Sequence, residues 1–292
     1  MRMNWLDKMN EAICYVEDNL TGEIDFNEVA RKACCSTYHF QRMFSFITDV
    51  PLSEYIRRRR LTLAAFELQN SDVKVIDLAL KYGYESPDAF TRAFQNLHGV
   101  TPTSARDMGI QLKAYPRISF HISIKGDMEM NYRIEEKESF SVFGVDTIVS
   151  KVDGKCYKKI PEFWLKSIKD GTMERILKSA DCGNTDMLLN AAMYGHQDDG
   201  TYHYMLCQRI PQKGIPEGFV QLNIPKLTWA IFPTEEHTED KTSEKVQAIW
   251  ERIYPEWFPS SGYQHADAPE FEMYYKVGDN KFIVEIWIPV YK

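Results

Sequence analysis

The chain has 292 residues, a length that fits two domains better than one core, in an ordinary globular composition with a mildly high 13% of aromatic residues. The formal net charge is −7, so nucleic-acid binding would have to rest on local clusters rather than on the total. The six cysteines form no C-x-x-C pair and no Cys/His set at zinc spacing, so we expect no metal or cofactor and reduced thiols, as in a cytoplasmic protein. The beginning of the chain is acidic where a signal peptide needs an apolar run, and no window approaches about 18 apolar residues, so we expect no membrane span.

Helical spacing runs through residues 1–108. Apolar residues recur three and four positions apart, as in Ile13, Val16 and Leu20. This half is therefore predicted to be an all-α domain.

The rhythm changes to strand alternation from about Tyr115. Isoleucine and phenylalanine alternate with polar residues from Ile118 onwards, and the Gly126-Asp127 turn follows, so we expect a strand there. Residues 109–129 are interpreted as a linker or as the leading strand of a second domain over 130–292.

Two segments of the first half match in register. The pairs are Ser36/Ser86, Phe40/Phe90, Arg42/Arg92 and Phe44/Phe94. Each segment follows a short helix and a tight turn, which together predict two helix-turn-helix units with a serine as N-cap. The phenylalanines are expected to pack on the preceding helix, and the arginine to lie on the opposite, solvent face. Capped helix pairs also occur in proteins that never touch DNA, but two units in register favour DNA binding.

The segment Leu52–Leu68 is rich in helix formers and separates the two units. With Pro51 it would span roughly 27 Å at 1.5 Å per residue. Adjacent major-groove faces of B-DNA recur every ~34 Å, so this helix could place two recognition helices in successive grooves.

The run Arg57–Arg60 cannot face one phosphate strand as a whole, because successive helical residues point about 100° apart. We expect some of these arginines to pair with carboxylates and one or two to contact phosphate. Residues 1–112 are not basic overall, so phosphate binding is also expected from helix N-termini and from the hydroxyls of Ser36, Ser86 and Thr101.

These features resemble the signature of the AraC/XylS family of bacterial transcription regulators. The residues that carry the resemblance are Gly83-Tyr84-x-Ser86-Pro87-x-x-Phe90-x-Arg92-x-Phe94, Gly99-x-Thr101-Pro102, Ala30, Gln41-Arg42-Met43-Phe44 and Tyr55-Ile56. The resemblance covers about residues 3–108 and implies seven helices, two helix-turn-helix units and double-stranded DNA as partner. The base-reading residues that it implies are Tyr38, Gln41 and Arg42 in the first unit and Pro87, Asp88, Ala89 and Arg92 in the second.

The sequence departs from the family pattern at two places. Cys34-Cys35 stands where the family usually has a glycine-containing turn, and Pro87 and Ala89 stand where longer polar side chains often lie. We therefore expect the first recognition helix to be the main base reader and Arg92 to be the strongest candidate in the second.

Residues 130–292 contain an internal repeat. The first copy has a strand at 140–145, a helix at 160–168 and strands at 187–194 and 201–210, and the second has a strand at 227–233, a helix at 245–254 and strands at 271–277 and 281–288. Both copies read β-α-β-β and end in Ile-Pro. The predicted fold is α+β: an antiparallel sheet with two helices on one face and a groove along the pseudo-twofold between the copies.

The last strand of the repeat places Glu285 between Ile283 and Trp287 on one face, and aliphatic residues on the other. One interpretation is a solvent-facing sheet surface. The other is a ligand groove, because a carboxylate with aromatic walls suits a large organic cation. The candidate wall residues are Trp287, Trp229, Tyr194, Tyr204, Tyr274, Trp164, Trp250 and Trp257.

This half resembles the GyrI-like effector domain found behind several bacterial regulators, most closely in the strand Glu285-Ile286-Trp287-Ile288-Pro289. The resemblance implies binding of amphipathic or cationic drugs and dyes in a groove with a glutamate at its base. It transfers that role to Glu285 alone, and the aromatic walls only as a type.

Three interpretations stay open. In the leading one, the second domain binds a small amphipathic or cationic effector and alters DNA binding, or a contact with RNA polymerase, by the first. In the second, the C-terminal domain is a protein-interaction module. In the third it is a hydrolase of small electrophiles, because some stand-alone GyrI-like domains resemble such enzymes. The sequence shows no Ser/His/Asp set and no metal-ligand cluster for this, although a Glu and a Tyr could activate water, so we do not expect an enzyme.

Overall fold

The computed structural model describes residues 5–107, 109–120, 129–180, 188–211 and 214–292. Residue contacts group the chain into two units, one formed by residues 1–40 and 52–125 and the other by residues 41–51 and 126–292. In the described residues no helix is both long and apolar enough to cross a membrane.

The first half of the chain is helical, as predicted. Its elements are α1 (Trp5–Asp18), α2 (Phe26–Lys32), α3 (Thr37–Thr48), α4 (Leu52–Asn70), α5 (Val75–Lys81), α6 (Pro87–His98) and a 3₁₀ turn (Ser104–Arg106). The described part of this half thus has six α-helices and a short turn, where the resemblance implied seven helices. Helix α3 contributes residues 37–40 to the first unit and residues 41–48 to the second.

The two helix-turn-helix turns, α2–α3 and α5–α6, have the same backbone course. Cys34 has a φ of 55° and Gly83 a φ of 75°, so both lie in the left-handed region that closes a helix. The Cys35 N–H donates to the Ala30 carbonyl at 3.1 Å, and the Tyr84 N–H donates to the Ala79 carbonyl at 2.9 Å. Cys34 therefore takes the place of the usual glycine, at a cost of about 1 kcal/mol for its Cβ.

Serine caps begin both second helices. The Ser36 hydroxyl accepts the N–H of His39 at 3.1 Å, and the Ser86 hydroxyl accepts the N–H of Ala89 at 3.2 Å. The predicted core phenylalanines, Phe40 and Phe44 of α3 and Phe90 and Phe94 of α6, are buried, and those of α6 join a core with α4 and α5. The predicted caps and apolar faces are confirmed.

All four arginines of the run Arg57–Arg60 in α4 have partners within the protein. The first two donate to Glu54 at 2.7 and 2.6 Å, and the third pairs with Glu17 at 2.7 Å. The fourth donates to the carbonyls of Leu20 and Gly22 at 2.8 and 2.6 Å. The expected carboxylate pairs are confirmed, and the intramolecular contacts take up more of the run than we expected.

The strand predicted from Ile118 is wrong in the described part of that segment, which ends at Phe120 and is neither helix nor strand. Its backbone groups bond to helix side chains instead: Ile118 N–H donates to the Tyr55 hydroxyl at 3.2 Å, and Phe120 exchanges two hydrogen bonds with Asn10 at 2.8 and 2.9 Å. The rest of the predicted strand and its Gly-Asp turn lie outside the described residues.

The rest of the chain forms one antiparallel sheet with helices. Its strands are β1 (Arg133–Lys137), β2 (Phe140–Ser150), β3 (Asn190–Tyr194), β4 (Thr201–Arg209), β5 (Val220–Ile224), β6 (Leu227–Pro233), β7 (Gln264–His265), β8 (Glu270–Gly278) and β9 (Lys281–Tyr291). Its helices are α7 (Lys155–Lys169), α8 (Thr172–Ser179), α9 (Thr242–Arg252), which continues into a π-helical turn (Ile253–Trp257), and α10 (Phe258–Ser261). The strand order is β1-β6-β9-β8-β3-β4-β2-β5, and β7 pairs with β9.

The sheet confirms the duplicated β-α-β-β unit. One copy is β2-α7-β3-β4 and the other is β6-α9-β8-β9, and their strands follow one another as β6-β9-β8 and β3-β4-β2. The copies meet where β3 pairs with β8, with Ala191 opposite Glu272 and Met193 opposite Glu270. The small strands β1, β5 and β7 and the helices α8 and α10 were not predicted.

Both faces of the sheet are buried. On β9, Val284, Ile286 and Ile288 are fully buried, as expected for the aliphatic face of this strand. The other face carries a second apolar cluster that includes Trp229 and Trp287. The face interpreted as solvent surface or groove is therefore a core face.

Candidate functional site

A cavity of about 760 Å³ lies in the second unit. Its walls come from α7, α9, β3, β4 and β8 and from Arg42, Phe46 and Asp49, and every wall residue belongs to that unit. Aromatic and aliphatic side chains dominate. The charged wall residues are Arg42, Lys151, Asp49, Glu239, Glu270 and Glu272, and His196 also lies in the wall.

Glu272 is a buried carboxylate held by neutral donors. Trp250 donates its indole N–H at 2.8 Å, and the hydroxyls of Tyr274 and Tyr204 donate at 2.9 and 3.5 Å. Trp164 in turn donates to the Tyr204 oxygen at 3.0 Å. Burial raises the pKa of Glu272, and the three donors offset this only in part. Among the described residues, no cationic side chain forms an ion pair with Glu272.

Glu270, two residues earlier on the same strand face, is fully compensated. Arg42 donates to both of its oxygens at 2.5 and 2.6 Å, Tyr254 donates at 2.7 Å, and His265 lies at 2.7 Å. Burial alone would raise the pKa of Glu270, but Arg42 and the histidines His196 and His265 hold it well below its ordinary value. Glu270 is thus ionised and already paired.

Lys151 is a basic side chain at the cavity wall, and it forms no ion pair with any carboxylate of the described residues. Its Nζ lies 3.6 Å from the centroid of the Phe46 ring. Burial and the neighbouring Arg42 guanidinium lower the pKa of Lys151 to about 7. Nothing in the sequence around Lys151 indicated this position.

The prediction that Glu285 lies at the base of the groove is wrong. Glu285 pairs with Arg133 at 2.8 Å, accepts the indole N–H of Trp287 at 2.9 Å and does not line the cavity. The aliphatic face of β9 is the one that faces the helices, so Glu285 points to the opposite side of the sheet. The cavity carboxylates come from the adjacent strand, where Glu272 pairs in register with Ile286.

The structure divides the predicted wall residues between the two faces of the sheet. Tyr204 and Tyr274 line the cavity, as do Trp164 and Trp250. The candidates Trp229 and Trp287 belong to the apolar cluster on the other face, and Tyr194 packs against it. The alternation Glu270-Phe271-Glu272-Met273-Tyr274 carried the missing signal, because it places two carboxylates and a tyrosine on one strand face.

Arg42 does not lie on a solvent face. It is 6% exposed, and its guanidinium is held by Glu270 and by His196, 3.2 Å from Nη1. The sequence correctly placed Arg42 opposite Phe40 and Phe44, but helical periodicity does not reveal that this face is also covered. In this structure Arg42 is therefore not presented for base reading.

The other predicted DNA-reading residues differ in exposure. On α6, Arg92 and Asp88 are exposed, whereas Tyr38 and Gln41 on α3 are half-buried. Ser36, Ser86 and Thr101 serve as caps, and the Thr101 hydroxyl accepts the N–H of Ser104 at 3.2 Å. The candidate base-reading residues of α6 are thus more exposed than those of α3, the helix that we expected to be the main base reader. No group of three or more metal-binding side chains occurs in the part of the chain that the structure describes.

Comparison with known proteins identifies both halves. Residues 133–290 match the family model described as Cass2, integron-associated effector binding protein, and residues 29–108 match that of a helix-turn-helix domain. The transcriptional activator AarP of Providencia stuartii is 39% identical over 98 residues, which are 34% of this chain and 73% of that protein. The regulatory protein SoxS of Escherichia coli (strain K12) is 34% identical over 98 residues, which are 34% of this chain and 92% of SoxS.

Solved structures resemble the second half. An integron cassette protein from the mobile metagenome of Vibrio cholerae is 18% identical, covers 55% of this chain and 95% of its own, and has a TM-score of 0.37. Because the Cass2 family model matches more than half of its residues, the chain belongs to the Cass2 family of integron-associated effector binding proteins, and with its AraC-type helix-turn-helix domain it is a DNA-binding transcription regulator.

Proposed function

We propose that this regulator responds to a small amphipathic organic cation, which binds in the cavity of the second unit with Glu272 as its counter-ion. The observation that carries the proposal is the buried Glu272 carboxylate, which accepts three neutral hydrogen bonds and has no cationic partner among the described residues. A buried carboxylate of this kind is stabilised when a cation enters.

The walls suit the apolar part of such a ligand. A volume of about 760 Å³ lies within the range of about 300–1,000 Å³ typical of small-molecule sites. Trp164, Trp250 and Tyr274 line the cavity, and a cation above the face of such a ring gains about 0.5–2 kcal/mol.

The two buried glutamates of the cavity differ in their partners. Glu270 is neutralised by Arg42 and is therefore not available to a ligand cation. Glu272 is the buried carboxylate that has no ion-pair partner among the described residues, whereas Asp49 and Glu239, which also line the cavity, are exposed. The cavity is thus suited to a monovalent cation rather than to a divalent one.

DNA recognition is proposed for the first recognition helix through Tyr38 and Gln41 and for the second through Asp88 and Arg92. Exposure favours Arg92, because its side chain is open to solvent on a helix whose N-terminus is capped by Ser86. Guanidinium groups on such helices contact guanine in the major groove. We further propose that the effector changes this binding, or a contact with RNA polymerase.

The test is thermodynamic linkage between the two ligands. A binding site is first selected from random duplex DNA with the full chain, and its affinity is then measured with and without saturating tetraphenylphosphonium, a monovalent amphipathic cation. A ligand-responsive regulator shows a change of about 5–150-fold, the usual range of allosteric coupling. Unchanged DNA affinity and unchanged transcription in a reconstituted assay would contradict the effector role.

A further inference from the structure

Lys151 lies where an amine can meet a ligand. It directly follows β2, its backbone N–H donates to the Gly200 carbonyl at 3.1 Å, and its side chain forms part of the cavity wall. Nζ is placed 3.6 Å from the Phe46 ring centroid. Among the described residues, no carboxylate oxygen lies within 4.0 Å of Nζ, the distance limit for an ion pair.

The charged and titratable groups around Lys151 come from several segments. They are Arg42, Asp49, Cys156, His196 and Glu270. Burial and the Arg42 charge disfavour the ammonium form, whereas the carboxylates and the Phe46 ring face favour it. The pKa of about 7 means that burial and the Arg42 charge have the larger effect, and that roughly half of the Lys151 amine is neutral at pH 7.

The cavity therefore presents a neutral amine in an apolar setting. Lysine becomes a nucleophile when it is desolvated or lies beside another cationic group, and both conditions hold for Lys151. Arg42, the other basic side chain at this place, is bound to Glu270 and cannot act as a nucleophile.

We propose that Lys151 is a covalent capture site for aldehydes, which enter the cavity and form a Schiff base with its amine. The Nζ lone pair attacks the carbonyl carbon and the C=O π electrons move to oxygen, which takes up a proton as nitrogen loses one. The carbinolamine then loses its hydroxyl with a proton as water, and the C=N bond forms. Hydrolysis reverses the reaction, so the capture needs no oxidant, reductant or cofactor.

This site goes beyond the cation-binding role of Glu272. The apolar walls suit an aldehyde with an aromatic or long aliphatic body, because such a body buries its surface against them. Reversible imine formation would add a signal for reactive carbonyl compounds to the signal for organic cations.

The experiment is reductive trapping with site mapping. The full chain is incubated with 2-naphthaldehyde, the imine is reduced with borohydride, and modified lysines are quantified by peptide mass spectrometry between about pH 6 and 9. Lys151 is expected to be labelled at least about tenfold faster at pH 7 than exposed lysines, because its neutral fraction is far larger. Its labelling rate should reach half its maximum near pH 7, whereas that of exposed lysines should still be rising at pH 9.

Matched variants identify the site. Lys151→Met should abolish the fast labelling, and Lys158→Met, which removes a lysine with an 85% exposed side chain on α7, should leave it unchanged. Labelling of Lys151 in the unmodified chain no faster than that of Lys158 would overturn the proposal, whatever the stability of the variant. Binding of tetraphenylphosphonium, measured without aldehyde, tests the cation site separately, so the two proposals can fail independently.

Discussion

The Trp250 indole N–H donates to Glu272 Oε1 at 2.8 Å and thereby links helix α9 to strand β8 at the cavity. An indole can donate but not accept, so it favours the ionised carboxylate over the protonated form. In the proposed cation site, this contact helps to keep Glu272 charged even though burial works against its charge.

Replacing Trp250 with phenylalanine should therefore weaken binding of tetraphenylphosphonium by about 1.5–3 kcal/mol, the range for a hydrogen bond to a charged group. Trp164→Phe is the matched control, since Trp164 donates to Tyr204 rather than to the carboxylate. Isothermal calorimetry compares the two. Equal losses in both variants would mean that only the aromatic wall matters.

Cation affinity should rise with pH. The pKa of Glu272 is raised, so the carboxylate takes up a proton and loses its attraction for a cation as the pH falls through this raised value. A second rise is expected near pH 7, where Lys151 loses its charge. His196 does not contribute in this range, because burial lowers its pKa to about 3.

Two comparisons separate these steps in calorimetric titrations. Glu272→Gln should remove the Glu272 step and keep the one near pH 7, and triphenylphosphine oxide, a neutral ligand of similar shape, should show neither. An affinity for tetraphenylphosphonium that does not change with pH would contradict both assignments.

Stability of the second unit should depend strongly on Glu270. Glu270→Gln leaves the buried Arg42 guanidinium without its counter-charge, which costs about 3–5 kcal/mol in comparable buried pairs. Glu235→Gln, which breaks a pair whose carboxylate is 79% exposed, should leave the unfolding midpoint almost unchanged, because solvent screens such a pair. Urea denaturation followed by tryptophan fluorescence measures both, and similar midpoints would show that the Arg42 pair adds nothing.

The same pair sets the acid side of the stability profile. The folded pKa of Glu270 is depressed, so its contribution is fully present above the unfolded value near 4.5 and is lost as the pH falls below it. The free energy of unfolding of the wild type should fall more steeply than that of Glu270→Gln between about pH 5 and 3. Equal slopes of the two unfolding free energies against pH would show that the acid sensitivity comes from groups other than Glu270.

Arg92→Ala should weaken binding to a selected DNA site by about 1–3 kcal/mol and relax specificity at one base pair, because the exposed guanidinium of α6 is free to approach a guanine edge. Arg31→Ala is the control, since Arg31 is equally charged and exposed but lies on α2 and pairs with Glu28. Band-shift titrations on specific and unrelated DNA give the comparison. An equal loss on both DNAs would make Arg92 a phosphate contact.

Local sequence patterns predicted most of the fold. The strand Leu227–Pro233 was placed to the residue, and the repeat of β-α-β-β units was confirmed, because strand alternation and helical spacing are local signals. Short elements such as β7, two residues long, carry too little pattern to be predicted. The alternation from Ile118 failed because that segment's described backbone groups bond to the side chains of Tyr55 and Asn10, which lie far away in sequence.

The sequence predicted the residue types of the candidate site, a glutamate beside aromatic rings, but not which residues line the cavity. Alternation fixes which residues of β9 share a face, but it does not fix which face looks towards the helices, so Glu285 was placed on the wrong side. The burial of Arg42 depends on Glu270, more than 200 residues away, and no helical pattern contains that information.

The most direct measurement of the central claim is the affinity of tetraphenylphosphonium for three forms of the chain: wild type, Glu272→Gln and Glu285→Gln. Both variants replace a buried or half-buried glutamate with its neutral isostere, but only Glu272 lines the cavity. The account predicts a loss of about 1.5–3 kcal/mol for Glu272→Gln, as for a charge-assisted contact, and wild-type affinity for Glu285→Gln. Wild-type affinity in Glu272→Gln, or the larger loss in Glu285→Gln, would contradict it.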